Sequence, residues 1–260
     1  MENFKFGKSN GMLSKNTVKF IKSLHQKKYR SEHGLFFVEG EKSVLELLSS
    51  DFKTENLFAT ADFLNKNQSF IPQSGLDITE VTQAQLESMG QYKSNDSALA
   101  VVRMKENRLL KPHPDQMILA LDDVRDPGNL GTIIRIADWY GIRHILMSEQ
   151  TAEFYNPKVI QSTMGSFTRI QFFYGNLSEV IQDWKLPVYG AFLDGENIHE
   201  MKEVKPGVIL MGNESVGISF QLGRLVDRKV TIPAFGAAES LNVAIATAVI
   251  CDNFKRLSQY

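Results

Sequence analysis

At 260 residues, 43% of them hydrophobic and with a formal net charge of -1, the chain has the length of one large domain or two ordinary ones and none of the bias of a disordered or fibrous protein. No apolar run approaches the roughly 20 residues that cross a bilayer, and the charged, interrupted N-terminus lacks the apolar core of a signal peptide, so a soluble cytoplasmic protein is expected. The one cysteine, Cys251, has no partner for an internal disulfide and sits in an apolar run that suits a small core hydrophobe, and the five histidines show no metal-ligand spacing, so no metal is expected.

The near-neutral total hides a local excess. Residues Met1 to His33 carry eight basic side chains, Lys5, Lys8, Lys15, Lys19, Lys22, Lys27, Lys28 and Arg30, against Glu2 and Glu32. Such a stretch serves as a phosphate-binding arm or, on charge alone, as an ordinary solvated helix face. Further on, Leu35 to Val38 reads as a strand, Glu41 to Leu48 as a helix and Ala98 to Met104 as another strand, while Thr82 with Gln85 forms a capping box that opens a helix toward Met89. These elements make residues 1–105 a small α/β domain. The stretch Lys105 to Gln116, KENRLLKPHPDQ, holds two prolines and several charges and is expected to be a linker.

Beyond it, over residues 116–260, strand signals at Met117 to Leu121, Ile142 to Met147, Val188 to Phe192, Val208 to Met211 and Lys229 to Ile232 alternate with helical stretches, the pattern of a parallel α/β sheet. Leu130, Ile133, Ile134 and Ala137 recur at helical spacing, and Gly141 offers a left-handed stop. The last segment, Leu241 to Leu257, is apolar on nearly every side until Asp252, which implies burial.

Three glycine-marked turns follow three of these strands: LDDVRDPGNLGTIIRIADWYG from Leu121, MGNESVGIS from Met211 and IPAFGAAESLNVAIA from Ile232. In open α/β sheets ligands bind outside the carboxyl ends of strands, where helix N-termini and free amides gather, so three such turns suggest one composite site. Gly212 and Gly217 in the second turn and Gly236 in the third would let main chain approach a flat ligand; taken singly, each glycine is explained as well by a tight turn. Six residues of helix turn Arg135 about 120° away from Asn129, so Asn129 is expected in the loop or at the N-cap.

This trio, in this order and at the C-terminus, resembles the three motifs of the SpoU (TrmH-like) family of RNA ribose methyltransferases in the SPOUT superfamily. The stretch Lys27 to Leu48 is similar to the substrate-binding domain that precedes the catalytic domain in many such enzymes, and Asn156 to Ile170 is similar to the family's segment between motifs. The resemblance implies a parallel-sheet SPOUT domain with a C-terminal trefoil knot behind a smaller α/β RNA-binding domain; pattern alone stops at a doubly wound sheet, because knots are rare. It implies transfer of a methyl group from S-adenosylmethionine to a ribose 2'-hydroxyl in structured RNA, ribosomal RNA before transfer RNA and guanosine as the base, by a homodimer whose active sites lie near the subunit interface.

By the same resemblance, main-chain groups at Gly212, Ile232 and Leu241, flanked by Met211 and Gly217, hold the cofactor. The family pattern NxxxxxR matches Asn129 and Arg135 and gives Arg135 a central part in activating the hydroxyl. Glu214 belongs to the GxE pattern and either meets the cofactor's surroundings or ties two loops together. Ser240 and Asn242, from SLN, open the last helix, where Asn242 would orient Arg135 and Ser240 would contact RNA or cofactor. Ser215 stands where the family often has glycine, and Ala244 where it often has serine. A catalytically silent RNA-binding protein of the same fold is the competing reading, which the presence of Asn129, Arg135, Ser240 and Asn242 disfavours. A dehydrogenase is disfavoured because no GxGxxG opens a βαβ unit.

Overall fold

The computed structural model describes residues 13–72, 74–109, 111 and 113–258, so Lys5 and Lys8 of the basic arm lie outside the described residues. The chain divides into two compact units, 1–106 with 155–168, and 107–154 with 169–260.

The first unit begins with α1 (Lys15–Ser23), capped by Ser14, whose hydroxyl accepts the Thr17 amide at 3.0 Å, and α2 (Lys27–His33), stopped by Gly34 at φ 64°. Then come β1 (Leu35–Glu39), α3 (Glu41–Leu48), β2 (Thr54–Ala59), α4 (Ala61–Lys66), β3 (Asp77–Glu80), α5 (Gln83–Met89) and β4 (Ala98–Arg103). The expected capping box of Thr82 and Gln85 opens α5. The four strands form one sheet in the order β1-β4-β2-β3, antiparallel except for β2 with β3. All five residues of β1, LFFVE, are buried because both its faces are covered. Leu35 and Phe37 join Phe20, Leu24 and Leu86 in one core, while Phe36 packs against Tyr155 and Phe167 with ring centroids 4.5 and 6.0 Å away.

Those two rings come from the segment that carries α7 (Pro157–Thr163), far along the chain. Lys15, Lys19, Lys22, Lys27 and Lys28 are exposed, but Arg30 is only 1% exposed and donates to the carbonyls of Leu24 and His25 at 2.8 and 2.9 Å. It holds the α1–α2 corner together rather than extending the basic surface.

The second unit contains β5 (Ile118–Leu121), α6 (Pro127–Trp139), β6 (His144–Met147), β7 (Gln171–Tyr174), α8 (Leu177–Trp184), β8 (Val188–Asn197), β9 (Val208–Met211), α9 (Phe220–Gly223), β10 (Arg228–Thr231) and α10 (Val243–Ser258). Its six strands are all parallel, in the order β10-β8-β9-β5-β6-β7, as expected for this half of the chain; β7 adds a strand that the apolar pattern did not mark. Every residue of β5 and β9 is buried, which is why both read as uninterrupted apolar runs. Gly141 does end α6, at φ 72°.

The last helix departs from expectation. Ala244, Thr247, Ile250, Cys251 and Phe254 are buried, yet Ile245 is 53% exposed, so α10 is not buried on every side. Burial pushes the Cys251 thiol up to about 12, which keeps it protonated and inert at neutral pH. Among the described residues no helix is long and apolar enough to cross a membrane.

Glu39 closes the first unit's core from β1. Its carboxylate accepts the amides of Gln91 (2.9 Å) and Tyr92 (3.3 Å), and Gly90 has no side chain because a Cβ there would collide with that carboxylate. Burial holds the Glu39 carboxyl above the usual glutamate range, against the lowering effect of the two amides. Glu39→Ala should cost about 1–3 kcal/mol in urea unfolding, since it strands two donors. A carboxyl whose folded pKa is raised stabilises most fully when protonated and loses that contribution as pH rises through its raised range. The difference between wild type and variant should therefore widen as pH is lowered toward the ordinary glutamate range.

Candidate active site

The site is built where β5 and β9 end together. Their pairing sets Leu121 opposite Met211, so the turns that follow emerge side by side and short polar side chains can join them. Asp122, buried at the end of β5, accepts the Ser219 amide at 2.7 Å. Asp123 adopts φ 60°, in the left-handed region; its amide donates to Ser148 Oγ and its carbonyl accepts Asn213 Nδ2, each at 2.8 Å. Asn213 also folds its own turn: its Oδ1 accepts the amides of Ser215 and Val216 at 2.9 and 3.2 Å, and its main chain pairs reciprocally with Gly217. Neither Asp122 nor Asn213 was singled out from the sequence, although an Asn two residues before a turn is a recognisable Asx signal.

Gly217 sits at φ 73°, as a left-handed turn position requires. Gly212 has a different reason from the expected one. A Cβ there would collide with the main chain of Gly217 and Ile218, so this glycine lets the turn close on itself and does not simply make room for a ligand. At Gly236 a Cβ would meet nothing within 4 Å, so the space over this glycine is open.

The expectation for Asn129 is corrected. Asp126 is the N-cap of α6, accepting the Asn129 amide at 2.8 Å, and Pro127 occupies the first helical position, so Asn129 lies inside the first turn. The Asp-Pro pair at 126–127 is itself a helix-start signature. From this position Asn129 donates through Nδ2 to Glu214 Oε1 at 2.9 Å and accepts Asn242 Nδ2 on its Oδ1, also at 2.9 Å. Asn242, not Ser240, caps α10: its Oδ1 accepts the amides of Ala244 and Ile245 at 2.9 and 3.3 Å. A chain of hydrogen bonds, Asn242 to Asn129 to Glu214, thus runs across all three motifs, and Glu214 takes the loop-tying role.

Arg135 stands apart from it. It is exposed and has no ion pair or hydrogen bond among the described residues, and Asn242 holds Asn129 instead of Arg135. With Asn129 on the helix, Arg135 lies about 9 Å further along and about 120° around the axis.

The strand ends of β8, β9 and β10 and the second and third turns enclose a cleft of about 910 Å3, within the range of ligand pockets. Met211, Gly212, Glu214, Gly217, Ile232, Ser240 and Leu241 line it; Asn129, Arg135 and Asn242 do not. From Ile232 to Leu241 the chain makes no main-chain hydrogen bond among the described residues, leaving amides and carbonyls for a bound molecule. Glu214 and Glu239 place carboxylates on the lining, a bias that suits a cationic ligand. Apolar walls, free main-chain groups, an unobstructed glycine and negative charge together fit an adenosine with a sulfonium. Among the described residues no group of His, Cys, Asp and Glu is arranged to hold a metal ion.

A parallel sheet whose second and third turns wall such a cleft, with the first turn tied to both, defines an α/β enzyme for an adenosine-containing cofactor. Residues 116–252 match the SpoU rRNA Methylase family and residues 15–100 the MRM3-like substrate binding domain. The 23S rRNA (guanosine(2553)-2'-O)-methyltransferase RlmP of Bacillus subtilis is 31% identical over 240 residues, covering 90% of this chain and 93% of that protein. The AdoMet-bound rRNA methyltransferase of Sinorhizobium meliloti superposes with a TM-score of 0.84 at 30% identity, over 95% of this chain and 97% of that one. A TrmH-family structure from Porphyromonas gingivalis gives 0.84 at 35% identity, over 94% and 99%. The chain belongs to the SpoU rRNA methylase family, RNA 2'-O-methyltransferases that take their methyl group from S-adenosylmethionine.

The relay is open to a direct test. Asn129→Asp sets a carboxylate against Glu214 and should slow methyl transfer about tenfold or more, the cost of one charge-assisted bond. Glu214→Gln alone keeps an acceptor and should change little. Combined with Asn129→Asp it supplies a donor and should recover most of the rate. Initial rates of the four proteins decide the matter; a double variant as slow as the single one would break the link between these positions.

Proposed function

We propose that the protein methylates the 2'-hydroxyl of a guanosine in large-subunit ribosomal RNA, in the cytoplasm and as a homodimer. The observation that carries this reading is the likeness to the B. subtilis guanosine methyltransferase over 90% of the chain, which takes in the substrate-binding match at residues 15–100 as well as the cleft. The exposed lysines of α1 and α2 supply phosphate contacts.

Main-chain groups around Gly212, Ile232 and Leu241, with Met211 and Gly217 in the second turn, hold the cofactor. Bound there, S-adenosylmethionine supplies a methyl group already activated on a sulfonium, which leaves alignment and proton removal to the protein. Arg135 does not serve as a base, since a guanidinium offers five N–H donors and no acceptor. It binds a backbone phosphate, positions the ribose and favours the developing alkoxide, while phosphate or solvent takes the proton. Ser240 presents a hydroxyl in the cleft, and Asn129, Glu214 and Asn242 keep the turns in register.

What one chain leaves bare supports the dimer. Trp139, one helical turn beyond Arg135 on α6, is 84% exposed, and Ile245 on α10 is 53% exposed. A second copy seated on α6 buries Trp139 and brings Arg135 to the subunit boundary.

Ribose methylation mapped in rRNA and tRNA from cells with and without the protein should lose one guanosine signal in the large subunit. A loss confined to tRNA would move the substrate, and a loss at another base would refute the guanosine assignment. Arg135→Ala should lower single-turnover transfer by about 100-fold or more with cofactor affinity in calorimetry unchanged, and Arg135→Lys should rescue poorly, because an ammonium lacks the planar fork.

A further inference from the structure

The third turn carries a side chain that neither the cofactor contacts nor the hydrogen-bonded relay uses. Phe235 is 94% exposed at the lining of the cleft, and among the described residues its ring touches no other ring or cation. The other aromatic on the lining, Phe192, is engaged: Lys229 Nζ lies 4.6 Å from its centroid. Phe235 is not an isolated surface hydrophobe. Leu193 at 78% and Val216 at 79% exposure share the same cleft, and a rim of exposed apolar groups around a concave site marks a binding surface.

The chemistry of the reaction says what meets that rim. A ribose 2'-hydroxyl reaches a cleft only when its nucleotide is drawn out of its stack, which uncovers the faces of the base attached to the neighbouring sugar carbon. Proteins that hold single nucleotides replace the lost stacking with an aromatic ring. The local chain suits such a platform. Pro233 fixes its own φ two residues upstream, and Gly236, directly after the ring, has open space where a Cβ would stand, so a flat group can lie across the main chain.

We propose that Phe235 is the stacking platform for the base of the nucleotide that is methylated, a positioning residue that holds the ribose over the cleft. The assignment rests on the reading of the cleft as a site of methyl transfer to RNA ribose. Phe235 has no polar atom beyond its main chain, so its side chain grips a base without reading its identity. Removing the ring weakens productive binding and leaves the choice of nucleotide to other contacts.

The test uses the full-length protein and rRNA isolated from cells that lack it. Phe235→Ala should lower kcat/KM for RNA by about 5- to 150-fold, the range for loss of one base stack. The affinity for S-adenosylmethionine in calorimetry and the mass in light scattering should stay at their wild-type values, as should the methylated nucleotide. Phe235→Tyr and Phe235→Trp should restore most of the loss, whereas Phe235→Leu, apolar but without a π-face, should restore little. Full activity in the alanine variant, or equal rescue by leucine, would overturn stacking. A fall in cofactor affinity would make Phe235 a wall of the cofactor site, and a change in mass a subunit contact; either result refutes the proposal. Wild-type protein that methylates neither rRNA nor tRNA would sink the functional reading, and this assignment with it.

Discussion

The in-register pairing of β5 with β9 is the constraint from which the site descends. Two four-residue strands, ILAL and VILM, buried at every position, must lie parallel and level, with Leu121 beside Met211. A slip of one residue would displace one turn from the other by about 3.3 Å and send its side chains to the opposite face. The hydrogen bonds from the Ser219 amide to Asp122 and from Asn213 to the Asp123 carbonyl leave no room for such a shift. Apolar burial therefore sets the register, and polar groups at the strand ends convert it into a fixed relation between turns.

The same economy appears one layer out. Asn242 performs two tasks with one amide: its oxygen caps α10, and its nitrogen holds Asn129. Asn129 in turn uses both ends of its side chain, and Asp126 secures the main chain beneath it. No member of this series is deeply buried, so each bond is individually modest, about 0.5–1.5 kcal/mol. Their value lies in orientation, because a pocket whose walls are set before the ligand arrives spends less of the ligand's binding energy on ordering.

Much of this could be read from the chain before any coordinates. Parallel strands covered on both faces appear as continuous apolar runs, so β5 and β9 were plain, and the glycine-marked turns located the cleft. What stayed hidden was tertiary. Strand β7, QFFY, is only half covered and lacks the apolar run of its neighbours. The lysine-rich start does not betray that Arg30 points inward to two carbonyls. Nothing local shows that Tyr155 and Phe167 pack on Phe36, over 100 residues earlier. That a Cβ at Gly212 would meet the main chain of Gly217 and Ile218 is likewise a tertiary fact, because a motif does not show what its own loop requires of a glycine. The place of Asn129 is legible in the helix start at Asp126 and Pro127, which the six-residue spacing to Arg135 does not reflect.

The directionality of the Asn242–Asn129–Glu214 series has a consequence for how such a chain diverges. A carboxylate at one end only accepts, and the amides that open α10 at the other end only donate, so the middle amide can point in one sense alone. Replacing any one of the three with a group of opposite polarity leaves the next facing its own kind. Positions 129, 214 and 242 are thereby bound into one polarity: a change that keeps the acceptor or donor in its place is absorbed, and a change that reverses it calls for a second change beside it.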